Sequence, residues 1–171
     1  SMGEKVATFE KEFAEYFGSK HAVMVNSGST ANLLMISLLK WRHNLTRFEG
    51  ANIIVPAVGW STTYFPLTQN GFRINFVDVD PETYNIDINK IEQAINPSTV
   101  AIMPVNLCGN PCNFTEIKRI CAENKLLLLE DNCESMGGKW DNRSLGTLGF
   151  AGSHSFFFSH HLQTMEGGMI C

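Results

Sequence analysis

Two adjacent histidines, His160 and His161, stand near the end of the 171-residue chain. An imidazole can take up a proton and return it near neutral pH, so one of them could serve as a general base or as a metal ligand. Adjacent side chains of an extended segment point to opposite faces, which predicts that only one of the two faces a site. Ser155 precedes them on a predicted strand, where it could contact a phosphate, although a single serine in a strand is more often structural.

A polar segment, residues 26–32, joins a predicted strand to a predicted helix and reads Asn-Ser-Gly-Ser-Thr-Ala-Asn. The first amide groups of a helix lack intrahelical partners, and a glycine lets a ligand approach the backbone closely. Gly28 and Ser29 are therefore candidates for binding an anion such as phosphate. The alternative is an ordinary helix cap at Ser27 or Ser29.

An acidic residue, Asp131, follows a run of four leucines that is predicted to be a buried strand. Such a carboxylate is costly to bury unless a cation or hydrogen-bond donors accompany it. One suitable partner is a protonated pyridine nitrogen, and the alternatives are a helix cap or a structural ion pair. Trp60 follows another predicted strand, where it could stack on a flat heteroaromatic ring or serve as a core anchor.

The composition narrows the class of protein. The net charge of −4 and the scattered basic residues argue against a nucleic-acid partner, and no apolar stretch reaches the ~18 residues that span a bilayer. No secretory signal follows Ser1 and Met2, which points to a cytoplasmic protein, and the odd number of cysteines, five, suggests reduced thiols. Cys108 and Cys112 are close in sequence, but ordinary loop or buried cysteines are expected there rather than zinc ligands, so we predict no metal.

Short apolar segments alternate with helical segments along the chain. This alternation predicts an α/β fold with a mainly parallel sheet flanked by helices. Ligands of such sheets bind beyond the carboxyl ends of the strands, where the polar residues described above are placed. The predicted strands are residues 21–25, 52–55, 73–79, 100–105, 126–130, 154–158 and 169–171, and the predicted helices are 4–17, 29–41, 62–69, 88–95 and 113–124.

The order of these features resembles that in a family of vitamin B6 enzymes. Residues 25–33, 76–80, 106–111 and 166–168 are similar to the sugar aminotransferases and dehydratases of nucleotide-sugar biosynthesis, which are fold-type-I pyridoxal phosphate (PLP) enzymes. Residues 60–64, 129–137 and 159–168 resemble the 3-dehydratases of that family in particular. The resemblance implies that residues 1–171 form an incomplete cofactor-binding large domain, and that the small C-terminal domain is absent from this chain.

The resemblance also implies a role for each candidate residue. Asp131 would meet the pyridine nitrogen with Glu134 beside it, and Trp60 would stack on the ring. His160 stands six residues before Glu166, at the position where the aminotransferases of the family carry the lysine that binds the cofactor covalently. The cofactor phosphate would be held by Gly28, Ser29 and Ser155.

The missing lysine changes the implied chemistry, since no lysine follows Lys139. The resemblance implies pyridoxamine phosphate (PMP), which L-glutamate regenerates from PLP. The implied reaction is removal of the C3 hydroxyl from a nucleotide-linked 4-keto-6-deoxy sugar in a homodimer, with His160 as the base. Two alternatives are a PLP-dependent sugar aminotransferase, against which the missing lysine counts, and a truncated, non-catalytic cofactor-binding fragment.

Overall fold

The computed structural model describes residues 3–42 and 50–171, and a seven-stranded sheet with helices on both faces organises them. In the described part of the chain the helices are α1 (Glu4–Phe17), α2 (Gly28–Arg42), α3 (Ser61–Gln69), α4 (Ile88–Ala94) and α5 (Phe114–Asn124). The strands are β1 (Val23–Val25), β2 (Asn52–Pro56), β3 (Arg73–Val77), β4 (Thr99–Ile102), β5 (Leu127–Asp131), β6 (Lys139–Trp140), β7 (Arg143–Ser144), β8 (Ala151–Ser155) and β9 (Gly168–Ile170).

The sheet has the strand order β1-β9-β8-β5-β4-β2-β3. Neighbouring strands from β8 to β3 pair in parallel, whereas β9 runs antiparallel to both β8 and β1. The predicted α/β fold with a mainly parallel sheet is therefore confirmed. Sequence reasoning missed the reversed direction of β9 and the separate β6–β7 hairpin.

The core lies on both faces of the sheet because alternate strand residues point in opposite directions. Ile53 and Val55 of β2 pack on the side that α2 and α3 cover. Ile54, between them, packs on the other side with residues of α4 and α5. Burial of each such side chain contributes roughly 1.5–3 kcal/mol relative to an exposed position. Because helices cover both faces of the sheet, β2 has no polar face.

The helix boundaries follow from capping side chains. Asp87, predicted as the N-cap of α4, accepts a hydrogen bond from the amide of Asn89 at 3.0 Å. Asn113 caps α5 in the same way through the amide of Glu116. Gly18 ends α1 in the left-handed conformation, with φ of 74°. These caps satisfy helix-end amides and carbonyls that would otherwise lack partners.

One predicted strand is displaced in the structure. We expected a strand over residues 154–158, but β8 spans Ala151–Ser155 and the chain turns after Phe156. Phe156 is 3% exposed and packs under α1, whereas Phe157 and Phe158 are 46% and 58% exposed. The three aromatic residues in a row suggested a buried strand, yet the first of them alone is in the core.

No helix in residues 3–42 or 50–171 combines the length and the apolar character that crossing a membrane requires.

A buried carboxylate fixes the start of β8. Glu130, on β5, is 0% exposed and accepts hydrogen bonds from the backbone amides of Gly146, Leu148 and Gly149. Burial raises the pKa of Glu130, and the three amide donors act in the opposite direction. Both carboxylate oxygens accept, so three residues of the loop before β8 are held to β5.

We expect Glu130→Gln to lower the free energy of unfolding by about 1–3 kcal/mol, because the glutamine NH2 group would face a backbone amide that needs an acceptor. Urea denaturation followed by circular dichroism measures the loss. Glu82→Gln is the control, since Glu82 is exposed. Equal unfolding midpoints for the two variants would contradict this role of Glu130.

Candidate active site

A cavity of about 560 Å³ lies beyond the carboxyl ends of the parallel strands, beside the start of α2. The loops after β2, β4, β5 and β8 all contribute to its wall, as the general rule for parallel sheets leads one to expect. The structure brings every residue of the predicted site to this one cavity, while their roles toward a cofactor stay predictions. These residues are Gly28, Ser29, Trp60, Asp131, Glu134, Ser155 and His160.

The start of α2 is pressed against the end of β8. A Cβ atom on Gly28 would lie 2.6 Å from the Ser155 Cβ and 2.9 Å from the Cys133 Sγ, so a side chain there has no room. The helix cap is Ser27, whose Oγ accepts a hydrogen bond from the Thr30 amide at 3.1 Å. Gly28 and Ser29 therefore open the helix at the cavity wall, where helix amides and hydroxyl groups favour an anion.

Asp131 is the buried acid at the end of β5, with 3% of its surface exposed. Its Oδ2 accepts hydrogen bonds from Asn32 Nδ2 at 2.9 Å and from Thr63 Oγ1 at 2.8 Å. Its Oδ1 accepts one from the Cys133 amide at 3.1 Å. None of the described lysine, arginine or histidine side chains forms an ion pair with this carboxylate. The alternative of a structural ion pair is thereby set aside for the described residues.

Sequence reasoning missed the side chains that hold Asp131. Asn32 and Thr63 come from α2 and α3, and Ser153 of β8 donates to Asn32 Oδ1 at 2.6 Å, which fixes the rotation of the amide. The residues that form these hydrogen bonds are separated by 68 to 121 positions in the sequence, so no local pattern links them. The one sequence signal was Asn32, a polar residue one turn into an apolar helix.

The groups around Asp131 remain uncharged. Burial, and secondarily the negative charge of Asp131, raise the pKa of Tyr64 to about 12. Burial also raises the pKa of the Cys133 thiol well above its usual value, and Asp131 adds to the shift. The raised pKa values favour the neutral phenol and thiol over their anions, and neither residue type can carry the positive charge that a buried carboxylate favours. A cationic group of a ligand is the suitable partner.

The two histidines lie on a turn rather than on an extended segment. The chain bends through residues 158–162, the His160 amide donates to the Phe157 carbonyl at 3.0 Å, and both His160 and His161 line the cavity. The expectation that only one of them faces the site rested on extended backbone and is wrong for that reason. His160 is nevertheless the more enclosed of the two, half-buried where His161 is exposed.

Trp60 and Glu134 stand at the edge of the cavity. Trp60 is 69% exposed and immediately precedes α3, so it is not a core anchor in the described structure. Glu134 is half-buried, and its Oε2 accepts a hydrogen bond from the Cys108 amide at 3.2 Å. An exposed indole beside a cavity is free to stack on a flat ring.

The donor set of the cavity suits PLP or PMP. The start of α2 provides an anion site, Asp131 provides an unneutralised carboxylate, and Trp60 provides an aromatic face. A phosphate, a protonated pyridine nitrogen and a flat ring are the complementary groups. By contrast, no three His, Cys, Asp or Glu side chains among the described residues converge as metal ligands, and the Cys112 thiol donates to the Val105 carbonyl.

We expect Gly28→Ala to weaken PLP binding by about tenfold or more, because the new methyl group must displace α2 from Ser155 and Cys133. Absorbance titration of the purified chain with PLP measures the affinity. Gly3→Ala is the control, since nothing lies within 4 Å of a Cβ at that glycine. Unchanged affinity in Gly28→Ala would show that the close approach is not needed for phosphate binding.

Comparison with known proteins places the chain in a family. GDP-4-keto-6-deoxy-D-mannose 3-dehydratase of Escherichia coli O55:H7 is 55% identical over 170 residues, which are 99% of this chain and 44% of that protein. GDP-perosamine synthase of Caulobacter vibrioides is 37% identical, with the same coverage. A crystal structure of GDP-4-keto-6-deoxymannose-3-dehydratase with a trapped PLP-glutamate geminal diamine superimposes with a TM-score of 0.93 at 54% identity, covering 99% of this chain and 44% of that one.

The chain therefore spans less than half the length of these relatives. The signature of the DegT/DnrJ/EryC1/StrS aminotransferase family matches residues 1–171. With that match, and with relatives of more than 30% identity along nearly its whole length, the chain belongs to the DegT/DnrJ/EryC1/StrS aminotransferase family.

Proposed function

We propose that the protein is a PMP-dependent 3-dehydratase that removes the C3 hydroxyl of a nucleotide-linked 4-keto-6-deoxy sugar. The 55% identical relative carries the name of such an enzyme, acting on GDP-4-keto-6-deoxy-D-mannose. L-Glutamate is the proposed amino donor, in line with the PLP-glutamate adduct in the similar crystal structure. This chain carries the cofactor-binding part of the proposed enzyme.

The observation that carries the proposal is the histidine at position 160. In the described part of the chain no lysine lines the cavity, whereas His160 does. An aminotransferase that uses PLP needs a lysine to bind the cofactor covalently and to move protons. The aminotransferase alternative lacks this group, and a dehydratase with a free cofactor does not require it.

Each cavity residue then has one task. Bound PMP supplies an amine that condenses with the sugar ketone and a ring that accepts electrons. The start of α2, with Ser29 and Ser155, would hold the phosphate, and Trp60 would cover one face of the ring. Asp131 would keep the pyridine nitrogen protonated. His160 would serve as the base toward the cofactor C4′ carbon and as the acid toward the departing C3 hydroxyl, as an imidazole can near neutral pH.

The proposed enzyme is a cytoplasmic homodimer. The described cysteines are all free thiols, which suits a reducing compartment. Leu34, Leu38 and Trp41 follow one another along one face of α2 and are 43%, 44% and 79% exposed. An apolar stripe of this kind is typical of a surface that another chain covers. No nucleic acid or membrane partner is proposed.

We expect Asp131→Asn to slow dehydration far more than it weakens cofactor binding. The variant keeps the shape and loses the charge, and the charge matters most when electrons enter the ring in the transition state. Steady-state kinetics of the protein expressed from its natural full-length reading frame, together with PMP titration, measures both effects. A rate equal to that of the unchanged protein would make Asp131 a structural residue only.

We expect His160→Asn to abolish dehydration while PMP still binds, because asparagine cannot accept the proton. His161→Asn is the matched comparison and should lose much less activity. His160→Lys should capture PLP covalently and produce an absorbance band that borohydride removes, because lysine supplies a reactive amine at that position.

Two results would count against the proposal. Normal turnover in His160→Asn would remove His160 from the reaction. PLP that binds to His160→Lys without forming a reducible adduct would show that position 160 does not face the cofactor aldehyde. If the unchanged protein binds PMP but shows no dehydration of a GDP-4-keto-6-deoxy sugar, the non-catalytic alternative is favoured.

A further inference from the structure

Two neighbouring loops at the cavity are joined by several hydrogen bonds. The first, residues 106–109, lies after β4, and the second, residues 131–135, begins at the last residue of β5. The Asn106 amide donates to the Asp131 carbonyl at 3.0 Å, and Asn106 Nδ2 donates to Asn132 Oδ1 at 3.2 Å. Asn106 and Asn132 are both 0% exposed, so these bonds are shielded from water and their loss leaves buried polar groups unpaired.

Ser135 closes this arrangement. Its Oγ donates to the Asn106 carbonyl at 2.6 Å and accepts from the Gly109 amide at 2.9 Å, and the residue is 2% exposed. The Ser135 hydroxyl therefore contacts the first loop twice. One hydrogen bond goes to Asn106, before Cys108, and the other comes from Gly109, after it. Residues 107 and 108 lie between these two points, and the Leu107 amide also donates to Asn85 Oδ1 at 3.2 Å, so Ser135 and Asn85 both hold this turn.

The fixed turn has strained backbone. Cys108 has φ of 51°, in the left-handed region, and is followed by Gly109 with φ of 85°. A residue with a Cβ adopts that conformation at a cost, and such residues persist where the surroundings hold them. Here the conformation aims the Cys108 amide at Glu134 Oε2, 3.2 Å away, with the Cys108 Sγ 3.6 Å from the same oxygen.

The hydrogen bonds from Cys108 therefore engage Oε2 of Glu134 and not Oε1. None of the described residues donates a hydrogen bond to Glu134 Oε1, and Glu134 lines the cavity. A glutamate side chain beside a cavity would ordinarily sample several rotamers. Two donors on Oε2 restrict it to one of them, which prepares Oε1 as an acceptor for a ligand.

We propose that Ser135 is a positioning residue: it locks the Cys108 turn, and through Cys108 it orients Glu134 to accept a hydrogen bond from a donor group of the bound ligand. This inference deepens the dehydratase function proposed above and rests on it for its kinetic consequences. The arrangement itself can be tested without turnover, because Cys108 is the exposed cysteine among the described ones and its thiol reports on the turn.

The first test is alkylation of Cys108 by iodoacetamide in the purified chain, with peptide mapping to identify the modified cysteine. Burial and the neighbouring Glu134 raise the pKa of the Cys108 thiol. Ser135→Ala should free the turn and speed alkylation by about threefold or more at constant pH, since the thiolate is the reactive form. Glu134→Gln should shift the pH dependence of alkylation to lower pH.

Thr99→Val is the matched control. Thr99 is a buried hydroxyl residue at the start of β4, the end of that strand away from residues 106–109, and like that of Ser135 its hydroxyl donates one hydrogen bond and accepts one. It should lose comparable stability without changing the alkylation rate. An unchanged rate in folded Ser135→Ala overturns the proposal. If Ser135→Ala does not fold, the Glu134→Gln profile decides, and an unshifted profile overturns it.

The second test is a double-mutant cycle in the protein expressed from its natural reading frame. Ser135→Ala and Glu134→Gln should each lower kcat by about 10- to 100-fold, and the double variant should be no slower than the slower single variant, because one acts through the other. Multiplicative losses overturn the positioning role. Absence of dehydration in the unchanged protein refutes the proposed function instead, and leaves the alkylation result to judge the turn.

Discussion

The burial of Asp131 is the constraint around which the site is built. A carboxylate that is 3% exposed loses most of its hydration, and the described structure replaces that hydration with neutral donors from three different elements. Asn32 brings in α2, Thr63 brings in α3, and the Cys133 amide belongs to the loop after β5. The same interactions that hold the charge thus align the two helices that form the cavity wall. What they do not provide is a positive charge.

The approach of α2 to the sheet follows a second constraint, which is steric. A Cβ on Gly168 would lie 2.4 Å from the Ser27 carbonyl oxygen, just as one on Gly28 would collide with Ser155. Glycines on both sides of the contact let the helix start sit directly on β8 and β9. The antiparallel β9 belongs to this contact, because its first residue is one of these glycines. The position of the helix start that is proposed to bind phosphate therefore depends on this close backbone packing.

The sequence predicted the parts of this structure that depend on local pattern. The helix over residues 4–17 and the Asp87 cap were confirmed, because amphipathic spacing and capping are local. The direction of β9 was not predictable, since it depends on which edge is open once the rest of the sheet has formed. Asn32, Thr63 and Ser153 were missed because their contacts join residues far apart in sequence. The turn at His160 was not predicted, because the three phenylalanines before it, residues 156–158, have the apolar pattern of a buried strand.

Position 160 carries a histidine instead of a lysine, so a cofactor would depend on non-covalent contacts with the described residues. A lysine would hold the cofactor through a bond, and the remaining contacts would then need only to orient it. In the proposed enzyme, with a histidine at position 160, the affinity that the described residues offer the cofactor would come from the start of α2, the face of Trp60 and the charge of Asp131. These contacts would form and break as the cofactor binds and leaves, so the proposed exchange of PMP and PLP would break no covalent link to the protein. The uncompensated charge of Asp131 would also favour the protonated ring, the form that accepts electrons, over a neutral ligand of similar shape.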